Sequence, residues 1–437
     1  MFPDMASIAS PVMISVAQDL PKKEGILTMG HHCRFADTDD LELILSLGRQ
    51  PMSNSYLKAD QLSKPEPFYP LDLYVSRSSM LCQIEVVATS EDIFSDYAYF
   101  SSFSDSWLEH CARHVDSMIK RCNLGPDSLV YEVASNDGYL LKNFVARGIP
   151  CRGIEPAANI AQVANQIGVP TEVAFWGEKT GRRLAAERGK ADLILANNVY
   201  AHVPTLNDFV EGFHQSLKPT GICSIEVAHL LPMLANTLFD TIYHEHFFYH
   251  SLFVTRNIMA AHGMRVFDVD EIPTHGGSIR FYVCHDNDAT HPDTPNIERV
   301  LAKEKAAGLM GLTPYKEFAA RVEGIRDDLL AFLRNAKKEG KKVLAYGAPA
   351  KGNTLLNYCE ITPELLAYTV DRSPHKQGLY LPGSHLPIRS PEEMLADKPD
   401  YVLILPWNLK DEIVSQLDPI RAWGGRCVVP IPKLQIL

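Results

Sequence analysis

The 437-residue chain has no C-x-x-C pair, no long apolar run and no excess of basic charge. Its nine cysteines (33, 82, 111, 122, 151, 223, 284, 359 and 427) are odd in number and dispersed. That pattern argues against a disulfide framework and fits reduced thiols in a cytoplasmic protein. A membrane span needs about 20 apolar residues in a row, so no membrane partner is expected. Lys and Arg number 42 against 53 Asp and Glu, a formal net charge of −11. Nucleic acid is therefore not an expected partner, because a backbone-binding surface needs net positive charge. The first 28 residues lack the charged-then-apolar order of a secretory signal and read as a flexible leader. With 46% hydrophobic and 22% charged residues there is ample material for packed cores. At about 150 residues per domain the length predicts about three.

The pattern along the chain divides it accordingly. Residues 29–110 hold short apolar stretches broken by Pro, Ser and Gly, as in a small mixed module. It ends in an aromatic, hydroxyl-rich loop, DYAYFSSFS. There Ser104, Asp105 or Ser106 can cap a helix running through Trp107, Leu108, Val115 and Met118. Residues 111–295 alternate strands and helices. LVYEVA, CRGIEP, ADLILANN and GICSIEV are apolar and continuous, as in a parallel sheet covered on both faces. RVFDVDE and GSIRFYVC are joined by a link too short for a crossover helix, so the sheet is expected to end in an antiparallel pair. Residues 296–437 open with a charged helical stretch reaching 338. They then repeat the strand–helix rhythm in KKVLAYG, LLAYTVD, DYVLIL and RCVVP, a smaller α/β unit.

The loop after the first strong strand, Glu132-Val-Ala134-Ser135-Asn136-Asp137-Gly138, sits where open α/β folds bind their ligand. A nicotinamide enzyme would offer GxGxxG there. This loop has one glycine and two acids, which suits a cofactor with an ammonium group, such as S-adenosylmethionine. Glu155, at the end of the next strand, is placed to accept two ribose hydroxyls. Asn197 and Asn198 could complete an adenosine pocket. In the bland alternative Asp137 is only a helix cap.

The segment FDTIYHEHFFYHSL concentrates Tyr243, His244, Glu245, His246, Tyr249 and His250. A metal site is one reading. In a helix His244 and His246 would diverge, whereas in a strand they would share a face. Acid–base chemistry is the second: a histidine can take a proton from carbon beside a carbonyl when a donor stabilises the enolate. His202 converges on the same face. Buried packing histidines are the third.

Taken together, these residues resemble a known family, the S-adenosylmethionine-dependent C-methyltransferases of nucleotide-linked keto-deoxysugars in antibiotic and surface-polysaccharide pathways. The resemblance runs from about residue 33 to the C-terminus. It rests on QPMSNSYL, YPLDLYV, DYAYFSSFSDSW, EVASNDGYLL, GIEPAANIA, ADLILANNVYAHVPTLNDFV, FDTIYHEHF and THGGSIR. YGAPAKGNTLLNY, YTVDRSPHKQG, LPG and PDYVLILPWNL extend it through the last third. It implies a central Rossmann-like class I methyltransferase domain with a mixed sheet, between a small zinc-type module and a smaller α/β substrate domain. The implied reaction removes a proton next to the ketone of a nucleotide-linked sugar, dTDP by expectation, and methylates the enolate. By motif, His246 is the base, Tyr243 and Glu245 position the sugar, His202 meets the keto oxygen, and Tyr97 or Tyr99 closes over the substrate. The cofactor set is Glu132, Ala134, Ser135, Asn136, Asp137, Gly138, Glu155, Pro156, Asn159, Asn197 and Asn198. The substrate set is Asn54, Ser55, Lys351, Asn353, Arg372 and Lys376, although basic side chains at strand ends can also be solvated surface. A monomer or weak homodimer is expected.

The chain departs from the family at the zinc. The family's two CxxC pairs read here Cys33-Arg34-Phe35-Ala36 and Ser76-Arg77-Ser78-Ser79. Cys82 lies three positions too far on, and His31 and His32 with Cys33 still lack a fourth ligand. No structural zinc is expected, which leaves the module to be held by packing. The same loss leaves room for another methyl acceptor, or for a non-methylating enzyme that keeps the bound sulfonium.

Overall fold

In this computed structural model, residues 32–88, 102 and 105–437 are described. The leader, Tyr97 and Tyr99 lie outside them.

Among the described residues the strands form three sheets. The first contains β1 (Leu41–Gln50), β2 (Tyr69–Ser76) and β3 (Cys82–Ile84). Its alternate buried positions, Leu45, Leu47, Leu71, Leu73 and Val75, face inward, as the period of a strand requires. A fourth, two-residue strand, β9 (Phe248–Tyr249), completes this sheet from far along the chain, pairing Cys82 with Tyr249 and Gln83 with Phe248.

The central sheet has seven strands in the order β6-β5-β4-β7-β8-β11-β10. β4 (Val130–Val133), β5 (Cys151–Glu155), β6 (Thr171–Val173), β7 (Ala191–Asn197) and β8 (Leu217–Ala228) run parallel. β10 (Met264–Ile272) and β11 (Ser278–His285) add the antiparallel pair expected from their short link. Strand order reverses between β4 and β7, so a crevice opens at the carboxyl ends of these two strands. β6 was not legible: at three residues, with Val173 exposed, it is an edge strand with little apolar signal.

The C-terminal sheet runs β14-β13-β12-β15-β16-β17. β12 (Val343–Tyr346), β13 (Thr369–Val370), β15 (Tyr401–Ile404) and β16 (Arg426–Val429) fall in the four expected stretches. The edge strands β14 (Ile388–Arg389) and β17 (Gln435–Ile436) carry too little pattern to be read. The expected charged helix is two helices, Pro295–Ala306 and Thr313–Lys338. In the second, Tyr315, Phe318, Val322, Ile325, Leu329, Leu333 and Ala336 form one buried stripe at helical spacing.

The parts share one core. A single apolar cluster runs from Cys33 through the central sheet to Ile431, and a smaller one covers the other face around Tyr139, Phe144 and Tyr282. Loops of the first and last parts are also tied directly. Leu57 and Tyr380 exchange both backbone hydrogen bonds at 2.9 Å, and Tyr56 Oη donates to Ala348 O at 2.7 Å.

Candidate active site

A cavity of about 1480 Å³ lies at the carboxyl ends of β4, β5, β7 and β8 and is bordered by the first two sheets and by the loops and a helix of the C-terminal part. Its floor is the loop after β4. That loop has one glycine, yet Ala134, Asn136 and Gly138 take φ of 53°, 49° and 79°. These alternate left-handed residues give a glycine-rich turn shape without its glycines. Asparagine tolerates this conformation, whereas alanine does so at a cost of about 1–2 kcal/mol. Missing glycines are thus a weaker guide to the cofactor than the sequence implied. The helix expected from Tyr139 is also short, Lys142–Val145.

The two acids of the loop do not project into the cavity. Glu132 is fully buried below the loop, and burial pushes its carboxyl well above the usual range, with Glu155 and Asp137 adding to the push. Burial thus favours its neutral form. Asp137 Oδ2 accepts from Ser102 N at 3.1 Å and Ser102 Oγ at 2.5 Å. The acid that meets the cavity beside this loop is Glu155, whose Oε1 and Oε2 accept from Ala157 N and Asn136 N, both at 2.9 Å. Ala134, Asn136, Pro156, Asn197 and Asn198 line the cavity with it; Ser135, Gly138 and Asn159 do not. Asn197 Oδ1 is buried with no protein hydrogen bond, an acceptor left for a ligand. The opposite wall is Trp107, His110 and Arg113 on the helix Asp105–Arg121, with Trp107 stacked on His110 at 5.0 Å. The sequence showed the helix but not this face: the expected apolar stripe put Trp107, which lines the cavity, together with Val115 and Met118, which are buried in the core.

Within the histidine segment a 3-10 turn (Phe239–Thr241) and the strand β9 flank an irregular turn over residues 242–247, and its histidines part company. His244 leaves the cavity, with Nε2 3.2 Å from Pro70 O. His250 stacks on Tyr200 at 4.0 Å, 3.3 Å from its carbonyl. Burial lowers these two rings to about 4 and about 3, as for packing histidines. His246 lines the cavity instead. Its Nδ1 is 2.8 Å from Thr241 O and its Nε2 is 2.8 Å from Tyr243 Oη. A carbonyl only accepts, so Nδ1 carries the proton and, in the neutral ring, Nε2 accepts from the tyrosine. His202 meets the His246 ring edge-on at 4.7 Å, and burial lowers it to about 4, leaving it neutral. Glu245 Oε1 accepts from Asn54 Nδ2 at 2.7 Å, so the first module reaches into this centre.

From the C-terminal part come Lys351, on the helix Ala350–Tyr358, and Lys376, in a turn after β13. Lys351 Nζ donates to Asn408 Oδ1 at 2.8 Å and lies 4.8 Å from the Trp407 ring. Lys376 Nζ donates to Ala348 O and faces the Tyr56 ring. Ser55 is also on the wall. Two expected substrate residues are elsewhere. Asn353 is packed inside the helix Ala350–Tyr358 away from the cavity, and Arg372 is exposed beside Glu412. Asn353 is two residues past Lys351, on the opposite side of its helix, and Arg372 is four before Lys376, a distinction that strand-end position alone cannot make. The sequence also passed over His229, immediately after β8, which lines the cavity. Its Nε2 is 2.8 Å from the buried Glu304, which also accepts the amides of Leu252 and Phe253.

The chain is similar to the C-methyltransferase NovU of Streptomyces niveus, 35% identical over 405 residues, covering 93% of this chain and 96% of that one. The chain belongs to the S-adenosylmethionine-dependent C-methyltransferases. This methyltransferase matches the family described as "C-methyltransferase C-terminal domain" over residues 273–432, "Methyltransferase domain" over 107–269 and "Putative zinc binding domain" over 33–94. Two solved structures are also similar over part of the methyltransferase. One is an S-adenosylmethionine-dependent methyltransferase of Clostridium acetobutylicum (11% identity, 41% of this chain, 92% of that one, TM-score 0.33). The other is magnesium protoporphyrin IX methyltransferase of Synechocystis (16%, 41% and 82%, TM-score 0.33). Among the described residues no helix is long and apolar enough to cross a membrane.

Proposed function

We propose that this enzyme methylates carbon next to the ketone of a nucleotide-linked 4-keto-deoxysugar, with the Tyr243–His246 pair removing the proton. The observation that carries the reading is the fixed tautomer of His246: Thr241 O holds Nδ1–H, so the basic lone pair stays on Nε2 beside Tyr243. Methyl transfer to carbon needs such a base, whereas transfer to an amine nitrogen does not. His202, kept neutral by burial, packs edge-on against His246 and shapes the wall on which the sugar ring would lie. Glu245, held by Asn54, orients a sugar hydroxyl.

S-adenosylmethionine, when bound, supplies the electrophilic sulfonium methyl that the enolate carbon takes. Glu155 would hold the ribose of that cofactor, and Asn197 and Asn198 its adenosine. Lys351 and Lys376, across the cavity from the loop after β4, suit the diphosphate of the sugar nucleotide. The division of labour follows the three parts, with residues 29–110 and 296–437 holding substrate and 111–295 holding cofactor.

The test is mass spectrometry of reactions containing S-adenosylmethionine and a panel of nucleotide-linked 4-keto-deoxysugars, each beside a His246→Asn control. A gain of one methyl on one sugar, lost in the control while the cofactor still binds, is the expected result. Tight cofactor binding without transfer to any sugar would instead point to another acceptor.

A further inference from the structure

The family match over residues 33–94 implies a zinc, and the residues present do not fit one. The two turns that would carry it nevertheless come together. Cys33 Sγ lies 3.2 Å from Ser79 Oγ, 46 residues on. Each turn also keeps amides aimed at its ligand positions. Ala36 N donates to Cys33 Sγ at 3.4 Å, Ser79 N to Ser76 Oγ at 3.1 Å, and Leu81 N to Ser79 Oγ at 3.2 Å. Such second-layer bonds normally orient metal ligands. The donor set is what has changed: one thiol, two hydroxyls and a methyl, where tetrahedral zinc takes four thiolate, imidazole or carboxylate donors. Among the described residues no three His, Cys, Asp or Glu donors converge at Cys33.

We propose that this module is a metal-independent form of the zinc-binding fold, in which a hydrogen-bonded joint centred on Asp40 does the ion's work of pinning the turns together. Asp40 Oδ1 accepts from Thr38 Oγ1 at 2.7 Å and from Ser76 Oγ at 2.9 Å, and its Oδ2 accepts from Ser78 N at 2.6 Å. One carboxylate thereby joins the end of the first turn to the second. Gln83 fastens the other side, accepting from Arg34 N at 3.2 Å and donating to His32 O at 2.9 Å. Arg34 then crosses to the rest of the protein, donating to Ile84 O and Phe247 O with its guanidinium 4.4 Å from the Phe248 ring. The fold of the module therefore carries no zinc dependence, and three side chains separate it from a metal site.

Full-length protein grown with added zinc tests this. The wild type is expected to purify without stoichiometric zinc and to melt at the same temperature with and without chelator. The triple variant Ala36→Cys, Ser76→Cys, Ser79→Cys is expected to take up one cobalt per chain, with thiolate-to-metal absorption bands, and to lose thermal stability when chelated. Asp40→Ala is expected to expose the module to limited proteolysis in the wild-type background and to do so less in the cobalt-loaded triple variant. One tightly held zinc per wild-type chain overturns the proposal, as does a folded triple variant that takes up no cobalt. If the triple variant is insoluble, the wild-type metal content and its response to chelator decide.

Discussion

Replacing Asn54 tests whether the first module takes part in the reaction or merely covers it. Its amide donates to Glu245 Oε1 at 2.7 Å. The carboxylate is nearly buried, at 5% exposure, while Asn54 itself is exposed. A hydrogen bond to a charged group contributes about 1.5–3 kcal/mol. Because water can reach the place Asn54 leaves, Asn54→Ala should sit near the lower limit. A loss of about 1.5 kcal/mol is roughly tenfold in kcat/KM if it falls on the positioning of Glu245, with at most a few degrees' fall in melting temperature. Asn54→Asp is more informative. Two carboxylates at hydrogen-bonding distance resist joint ionisation, so the pair's pKa rises. Its activity should therefore recover as the pH falls and the two acids share a proton, while the wild type shows no such gain. Initial rates of product formation measured from about pH 6 to about pH 9 give both numbers. A wild-type rate for Asn54→Ala, together with an Asn54→Asp profile parallel to wild type, would refute the role.

Gly153 lies on β5 beneath the cofactor loop, and a Cβ there would stand 2.2 Å from Ser135 Oγ and 2.7 Å from Thr171 Oγ1. Gly153→Ala should cost about 1–3 kcal/mol of overpacking, a fall of roughly 2–10 °C in Tm, and weaken cofactor binding. Adding Ser135→Gly should recover part of both, and failure of that rescue in calorimetry would remove the steric explanation. Asp240 is buried, with Trp407 Nε1 donating to its Oδ2 at 2.6 Å, and burial raises its carboxyl from 3.8 to about 6 against the pull of Lys351. Its folded pKa is the higher one, so the stability it gives is complete below about pH 4 and fades as the pH rises through 6. The span amounts to about 3 kcal/mol, and Asp240→Asn should flatten the fall in Tm between those limits. Parallel Tm profiles for variant and wild type would count against it.

The central sheet was legible because its parallel strands are buried on both faces and read as unbroken apolar runs. Glu155 was legible because its spacing from the loop is fixed by one strand–helix–strand unit. The histidine segment was legible only as a cluster. Its His244 and His246 lie in a turn, where neither helical nor strand periodicity tells which rings face in, so they looked alike until Thr241 O and Pro70 O separated them. The conformation of Ala134 was hidden because alanine gives no sign of a left-handed backbone. His229 and Glu304 are 75 residues apart, and no local pattern joins them.

The pairing of β3 with β9 bears on how the chain is made. Gln83 leaves the ribosome 165 residues (248 − 83) before its partner Phe248. At about 5–20 residues per second, that is a wait of roughly 8–33 s. Through that interval the β3 edge has open backbone donors and acceptors, the kind of edge that recruits strands from other molecules. Leu57 waits longer still, for Tyr380. The first part to be synthesised is thus among the last to be finished, and a nascent chain halted before residue 248 presents that edge to chaperones and to neighbouring chains alike.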